Sequence, residues 1–156
     1  MEAVALELPR HGRTPVKAEL AVPAFLTAAG DSSPVFLGGH SYGGRVASLA
    51  VLQRKFAGLI LLSYPLHRPG HPEELKTAHW PQIECPVLLI SGEADPFARI
   101  DLLRKSVKLL RKAELATFPG VRHGLTSVAD AAMEIAARFI RENSGTSGAV
   151  RRPKGR

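Results

Sequence analysis

Three residue types, far apart in the chain, have the chemistry to act together. Ser41 stands in Gly39-His40-Ser41-Tyr42-Gly43, Asp95 in Ser91-Gly92-Glu93-Ala94-Asp95-Pro96-Phe97, and His123 in Phe118-Pro119-Gly120-Val121-Arg122-His123-Gly124. A free hydroxyl is a poor nucleophile at neutral pH, so a nucleophilic serine needs a base to take its proton and a carboxylate to orient that base. A serine is raised above a strand end only where the chain turns sharply into a strained conformation. Small residues two positions before and two after, here Gly39 and Gly43, let strand and helix approach. The apolar run Val35-Phe36-Leu37 before this pentapeptide and the helix-like Arg45 to Gln53 after it supply the context a nucleophile elbow requires.

Each of these residues has a plainer reading beside it. Ser41 could sit in a tight glycine turn without reacting, Glu93 competes with Asp95, and Asp-Pro is also an ordinary turn signal. His40 adjoins the serine on the strained turn and is expected to point elsewhere. His67, His71 and His79 lie in a long proline-rich loop without a carboxylate at metal-ligand spacing and read as loop or pocket-rim residues. Asp101 and Asp130 read as helix-surface or first-turn charges.

Positioning these groups falls to alternating strand and helix signals, the pattern of an α/β protein with a mostly parallel sheet in a three-layer α/β/α sandwich. Strands are expected over Ala3–Leu8, Pro34–Gly38, Ala57–Leu62, Pro86–Ser91 and Glu114–Phe118. Helices are expected over Val16–Ala29, shortened or bent by Pro23, and over Tyr42–Arg54, Phe97–Lys112 and Ser127–Glu142, with one helical turn near Glu73–Thr77. Leu59-Ile60-Leu61-Leu62 and Val87-Leu88-Leu89-Ile90 are continuous apolar runs of strand length, as parallel strands buried on both faces must be. In such a sheet the carboxyl ends of the strands share one edge, which is where Ser41, Asp95 and His123 all fall.

With 156 residues the chain fits one domain, residues 1–142, followed by a disordered basic tail over 143–156. The net charge of +7 includes Arg151, Arg152, Lys154 and Arg156 in that tail. The tail has no interleaved aromatic residues, and no helix-turn-helix or zinc spacing appears, so nucleic acid is not the expected partner. No apolar stretch approaches the ~20 residues of a membrane helix. There is no signal peptide pattern, so the expected location is cytoplasmic. The single Cys85 rules out an internal disulfide and reads as a packing residue.

The stretch Leu37-Gly38-Gly39-His40-Ser41-Tyr42-Gly43-Gly44-Arg45-Val46-Ala47-Ser48, then Cys85-Pro86-Val87-Leu88-Leu89-Ile90-Ser91-Gly92-Glu93-Ala94-Asp95-Pro96-Phe97, and His123 resemble the α/β-hydrolases in the order Ser, Asp, His. The likeness runs from about Pro9 to Arg141. It is greatest to the dienelactone-hydrolase-like branch and to a hydrolase-like domain in a subunit of a nuclear histone-acetyltransferase complex. It implies Ser41 as nucleophile, His123 as general base and then acid, and Asp95 as the orienting carboxylate, with a small ester or thioester as substrate and neither metal nor organic cofactor. Dienelactone hydrolases use cysteine where Ser41 stands, so their substrate is not carried over.

Acyl transfer also needs oxyanion donors, one being the backbone N–H of Tyr42. The loop that usually gives the second has no counterpart before Met1, where the chain is expected to begin at the family's fourth strand; Arg10 to Arg13, with His11-Gly12, could substitute. Two further expectations follow from that shortening: a homodimer covering an exposed sheet edge, and, as the rival function, a catalytically inactive interaction module that keeps the elbow for packing.

Overall fold

Four parallel strands form the centre of the molecule: β3 (Phe36–His40), β4 (Gly58–Leu62), β5 (Val87–Gly92) and β6 (Ala113–Phe118), hydrogen-bonded in that order. Before them come a two-residue hairpin, β1 (Arg10–His11) with β2 (Thr14–Pro15), and helix α1 (Ala18–Ala29); α2 (Tyr42–Ala50), α3 (Ile100–Ser106) and α4 (Ala129–Asn143) follow β3, β5 and β6. The computed structural model describes residues 3–31 and 34–145. Of the basic tail expected over 143–156, Asn143 closes α4 and residues 146–156 lie outside the described ones.

Alternation along the strands divides the apolar residues between two cores. Leu37, Leu59, Leu61, Val87 and Leu89 face one side, where they pack with Ala47, Ala50 and Val51 of the α2 region and with Leu103 of α3. Leu88 and Ile90 face the other side, against Ala132, Ala136 and Phe139 of α4, with Phe36 and Ile60 beside them. Both faces of β4 and β5 are therefore covered, and Gly58–Leu62 and Val87–Ile90 carry no polar side chain. Leu59, Leu61 and Leu88 are wholly buried, and truncating any of them to alanine costs about 2–5 kcal/mol. The three-layer arrangement expected from the sequence is thus present.

Several element boundaries differ from expectation for local reasons. Ala3–Leu8 is not a strand. Its apolar residues find no partner on the open edge of β3, and the nearby pairing is the β1–β2 hairpin, with Gly12 turning at φ +58°. Pro23 does not shorten α1, because Val22, Phe25 and Leu26 pack on the larger core across it. Helix α2 stops at Ala50 rather than Arg54. The helix expected from Phe97 begins at Ile100, since residues 96–99 are used in a turn around Asp95, and past Ser106 it tightens into a 3-10 turn over Val107–Leu109. The short helical segment in the long loop is at Trp80–Gln82, not Glu73–Thr77.

Candidate active site

At the carboxyl end of β3 the chain reverses through Ser41, whose φ of 51° and ψ of −117° are a conformation L-residues seldom adopt. The turn is possible because a Cβ on Gly39 would sit 2.3 Å from the carbonyl carbon of Gly43, and one on Gly44 would sit 2.9 Å from the Gly39 carbonyl oxygen. Gly43 was expected to share this role, but the space around its own α-carbon is open, with only Leu8 as near as 3.9 Å. The close approach is therefore made by Gly39 and Gly44.

Ser41, His123 and Asp95 meet at one edge of the sheet. His123 Nε2 lies 2.7 Å from Ser41 Oγ, and His123 Nδ1 lies 2.8 Å from Asp95 Oδ2. The Asp95 side chain is fully shielded from solvent, while that of His123 is about a quarter exposed. The second carboxylate oxygen, Oδ1, accepts the Phe97 N–H at 2.8 Å, so both oxygens are held. An ionised carboxylate only accepts, which puts the proton of neutral His123 on Nδ1 and leaves Nε2 free to accept from the Ser41 hydroxyl. In this arrangement the hydroxyl can hand its proton to Nε2 as it attacks, and the buried charge of Asp95 stabilises the resulting imidazolium.

The competing residues are engaged elsewhere. Glu93 accepts from Arg104 and from the Thr117 hydroxyl, at 2.9 and 2.7 Å. Asp101 pairs with Arg99 in the first turn of α3, and Asp130 lies exposed in the first turn of α4, as expected of both. Tyr42 opens α2, where main-chain N–H groups lack helical acceptors, and its phenol donates to the Val16 carbonyl at 2.6 Å. The Arg10–Arg13 segment is exposed and makes no hydrogen bond to Ser41 among the described residues.

The loop histidines are not the rim residues the sequence suggested. His67 is buried, donates from Nδ1 to the Arg68 carbonyl, and accepts the Arg99 N–H on Nε2 at 3.1 Å. Its own N–H donates to the Phe97 carbonyl at 3.0 Å, so His67 clamps the segment that carries Phe97. His79 is also buried. The Ser48 hydroxyl donates to the Arg45 carbonyl, so Ser48 Oγ accepts from His79 Nε2 at 2.9 Å, and burial, with the adjacent Arg45 charge, pushes the His79 pKa down to about 4. His71 alone is exposed. Contrary to expectation it has carboxylates in reach, Glu73 at 3.2 Å and Glu74 at 4.0 Å, though Arg68 holds both oxygens of Glu74.

Sequence reasoning missed three neighbours of His123. The Phe97 ring is tilted against the imidazole with centroids 4.4 Å apart, and the His40 ring is at 5.4 Å. Gly92 ends β5 so close to the loop bearing His123 that a Cβ there would lie 2.1 Å from the Val121 carbonyl oxygen. A glycine closing a strand is a signal for such an approach and could have been read. A cavity of about 840 Å³ opens at the opposite end of the strands between Phe56, Pro86 and Phe139 and includes none of the three site residues. Cys85 lines it, and burial pushes its thiol up to about 11, in keeping with a packing role. Among the described residues no helix is long and apolar enough to cross a membrane.

The family described as an alpha/beta hydrolase domain matches residues 11–145. Solved structures share the architecture. A thermophilic esterase from Thermogutta terrifontis aligns with TM-score 0.59 and 16% identity over 71% of this chain and 66% of its own. A predicted CIB-like hydrolase from Thermoplasma acidophilum gives 0.64 and 21% over 80% and 58%. A monoacylglycerol lipase from Paleococcus ferrophilus gives 0.64 and 15% over 81% and 76%. The chain spans about two thirds or less of the first two of these structures.

Proposed function

The chain belongs to the alpha/beta hydrolase family, and from that premise we propose that it hydrolyses a carboxylic ester or thioester through an acyl-enzyme on Ser41. The observation that carries the reading is the unbroken line Ser41 Oγ, His123, Asp95, with links of 2.7 and 2.8 Å. Ser41 Oγ attacks the carbonyl carbon while its proton passes to His123 Nε2, and the carbonyl electron pair moves onto oxygen. The Tyr42 N–H is the proposed donor to that oxyanion. Collapse expels the alkoxide or thiolate, which takes the proton from Nε2. Water then attacks the acyl carbon, gives its proton to Nε2, and releases the carboxylic acid as the proton returns to Ser41.

We also assign the chain to the dienelactone-hydrolase-like branch on the residues flanking Ser41 and Asp95, with serine replacing that branch's cysteine. A lone cysteine suits a reducing compartment, and the cytoplasm is the proposed place of action. A fluorophosphonate probe tests the activity. The expected result is stoichiometric labelling that disappears in Ser41→Ala, together with turnover of short p-nitrophenyl esters; absence of labelling in the unaltered chain favours the inactive interaction module instead.

A further inference from the structure

His40 precedes Ser41 directly, and its ring reaches across the sheet edge to the loop between β6 and α4. Its Nε2 lies 3.1 Å from the carbonyl oxygen of His123, a residue 83 positions later. A carbonyl only accepts, so His40 carries its proton on Nε2 and donates it. Among the described residues no other hydrogen bond reaches the main chain of His123, whose side-chain nitrogens are both committed, to Asp95 and to Ser41. The neighbouring Gly124 has no atom within 4 Å of a Cβ placed on it, so packing there does little to fix the loop. The His40 ring is exposed, in contrast to the buried His67 and His79, so its burial adds little to the stability of the core.

We propose that His40 is a positioning residue: its Nε2–H bond to the His123 carbonyl sets the distance between the Ser41 hydroxyl and His123 Nε2. One residue is thereby joined covalently to the nucleophile's backbone and by hydrogen bond to the base's backbone. Movement of the β3 end or of the His123 loop changes both ends of the proton-transfer link. A misplacement of about 1 Å between reacting groups lowers turnover by up to ~10². The inference rests on the serine-hydrolase reading for its kinetic consequence, but not for its structural one.

The test compares His40→Ala with His40→Gln, whose side-chain amide N–H extends about as far as Nε2–H. In His40→Ala, kcat for a p-nitrophenyl ester is expected to fall about 10- to 100-fold with KM and melting temperature nearly unchanged, and His40→Gln is expected to recover most of it. In parallel, the low-field proton resonance of His123 Nδ1–H, protected by Asp95, should broaden into solvent exchange in His40→Ala and persist in His40→Gln. An unchanged resonance and kcat in His40→Ala overturns the proposal, as does a His40→Gln variant no better than alanine. If the unaltered protein turns over no ester, the catalytic reading fails while the proton resonance still decides the role of His40.

Discussion

Asp95 and His123 are 28 residues apart in the chain, and their side chains meet at 2.8 Å with the carboxylate wholly shielded from water. Because Asp95 can only accept, it fixes which nitrogen of His123 bears the proton. Asp95→Asn keeps the size but offers an N–H to Nδ1, favouring the tautomer with the proton on Nε2, where it no longer accepts from Ser41. Turnover should fall by about 10⁴ at neutral pH, the size of effect seen when the equivalent exchange is made in a serine protease. Steady-state rates with an ester, alongside an unchanged circular dichroism spectrum, check it; a loss under tenfold would mean that Asp95 does not orient the base.

Ser41 is held at φ +51°, a conformation that costs an L-residue of order 1–3 kcal/mol and glycine almost nothing. Ser41→Ala and Ser41→Gly both remove the hydroxyl and its bond to His123. They differ in backbone strain. Ser41→Gly should therefore be the more stable of the two by about 1 kcal/mol in urea unfolding, even though glycine usually weakens a folded chain, and both should fail to react with a fluorophosphonate. Equal stability would indicate that the elbow relaxes out of its strained geometry once the hydroxyl is gone.

The positions of Ser41, Asp95 and His123 could be read from the sequence because Ser41 and Asp95 follow apolar runs and His123 follows a short mixed strand, and parallel strands align their carboxyl ends. What surrounds them could not. His67 and His79 find their partners at Arg99 and Ser48, 32 and 31 residues away, which no periodicity reports. The start of α3 moved because Asp95 captures the Phe97 N–H, a side-chain bond that outweighs the helical propensity of the residues after it. Ala3–Leu8 has the apolar composition of a strand but lacks a neighbour, a tertiary condition absent from its own residues. The contact between His40 and the His123 carbonyl joins the end of β3 to the loop between β6 and α4 and had no local signal at all.

Burial of His79 has a consequence for stability against acid. Its pKa is about 4 in the folded protein against 6.5 when unhindered, so between those values the unfolded chain binds more protons. Stability is therefore fully present above pH ~6.5 and declines as pH falls towards 4. The loss from this one group is roughly 2–3 kcal/mol; the proton gained sits on Nδ1, 3.4 Å from Arg45, while the Nε2–H bond to Ser48 is kept. Urea unfolding at pH 7 and at pH 4.5 should show the difference. In His79→Gln, which keeps a donor for Ser48 and cannot titrate, the slope over that interval should be visibly smaller; an identical slope would assign the acid sensitivity to other groups.

Gly92 and Gly124 offer a paired test of how tightly the His123 loop is seated. A Cβ at Gly92 would lie 2.1 Å from the Val121 carbonyl oxygen and 2.5 Å from that of Arg122, both main-chain atoms that can move only with the loop. At Gly124, one residue beyond His123, a Cβ meets nothing within 4 Å. Gly92→Ala is expected to destabilise by about 1–3 kcal/mol through overpacking and to displace the imidazole from Ser41, lowering kcat by ~10². Gly124→Ala should leave both quantities within error, so any general intolerance of the loop to alanine is excluded by the same experiment. If instead Gly92→Ala stays active, the loop can shift away from β5 without carrying His123 with it. The imidazole would then be held by its side-chain bonds to Asp95 and Ser41 rather than by its backbone.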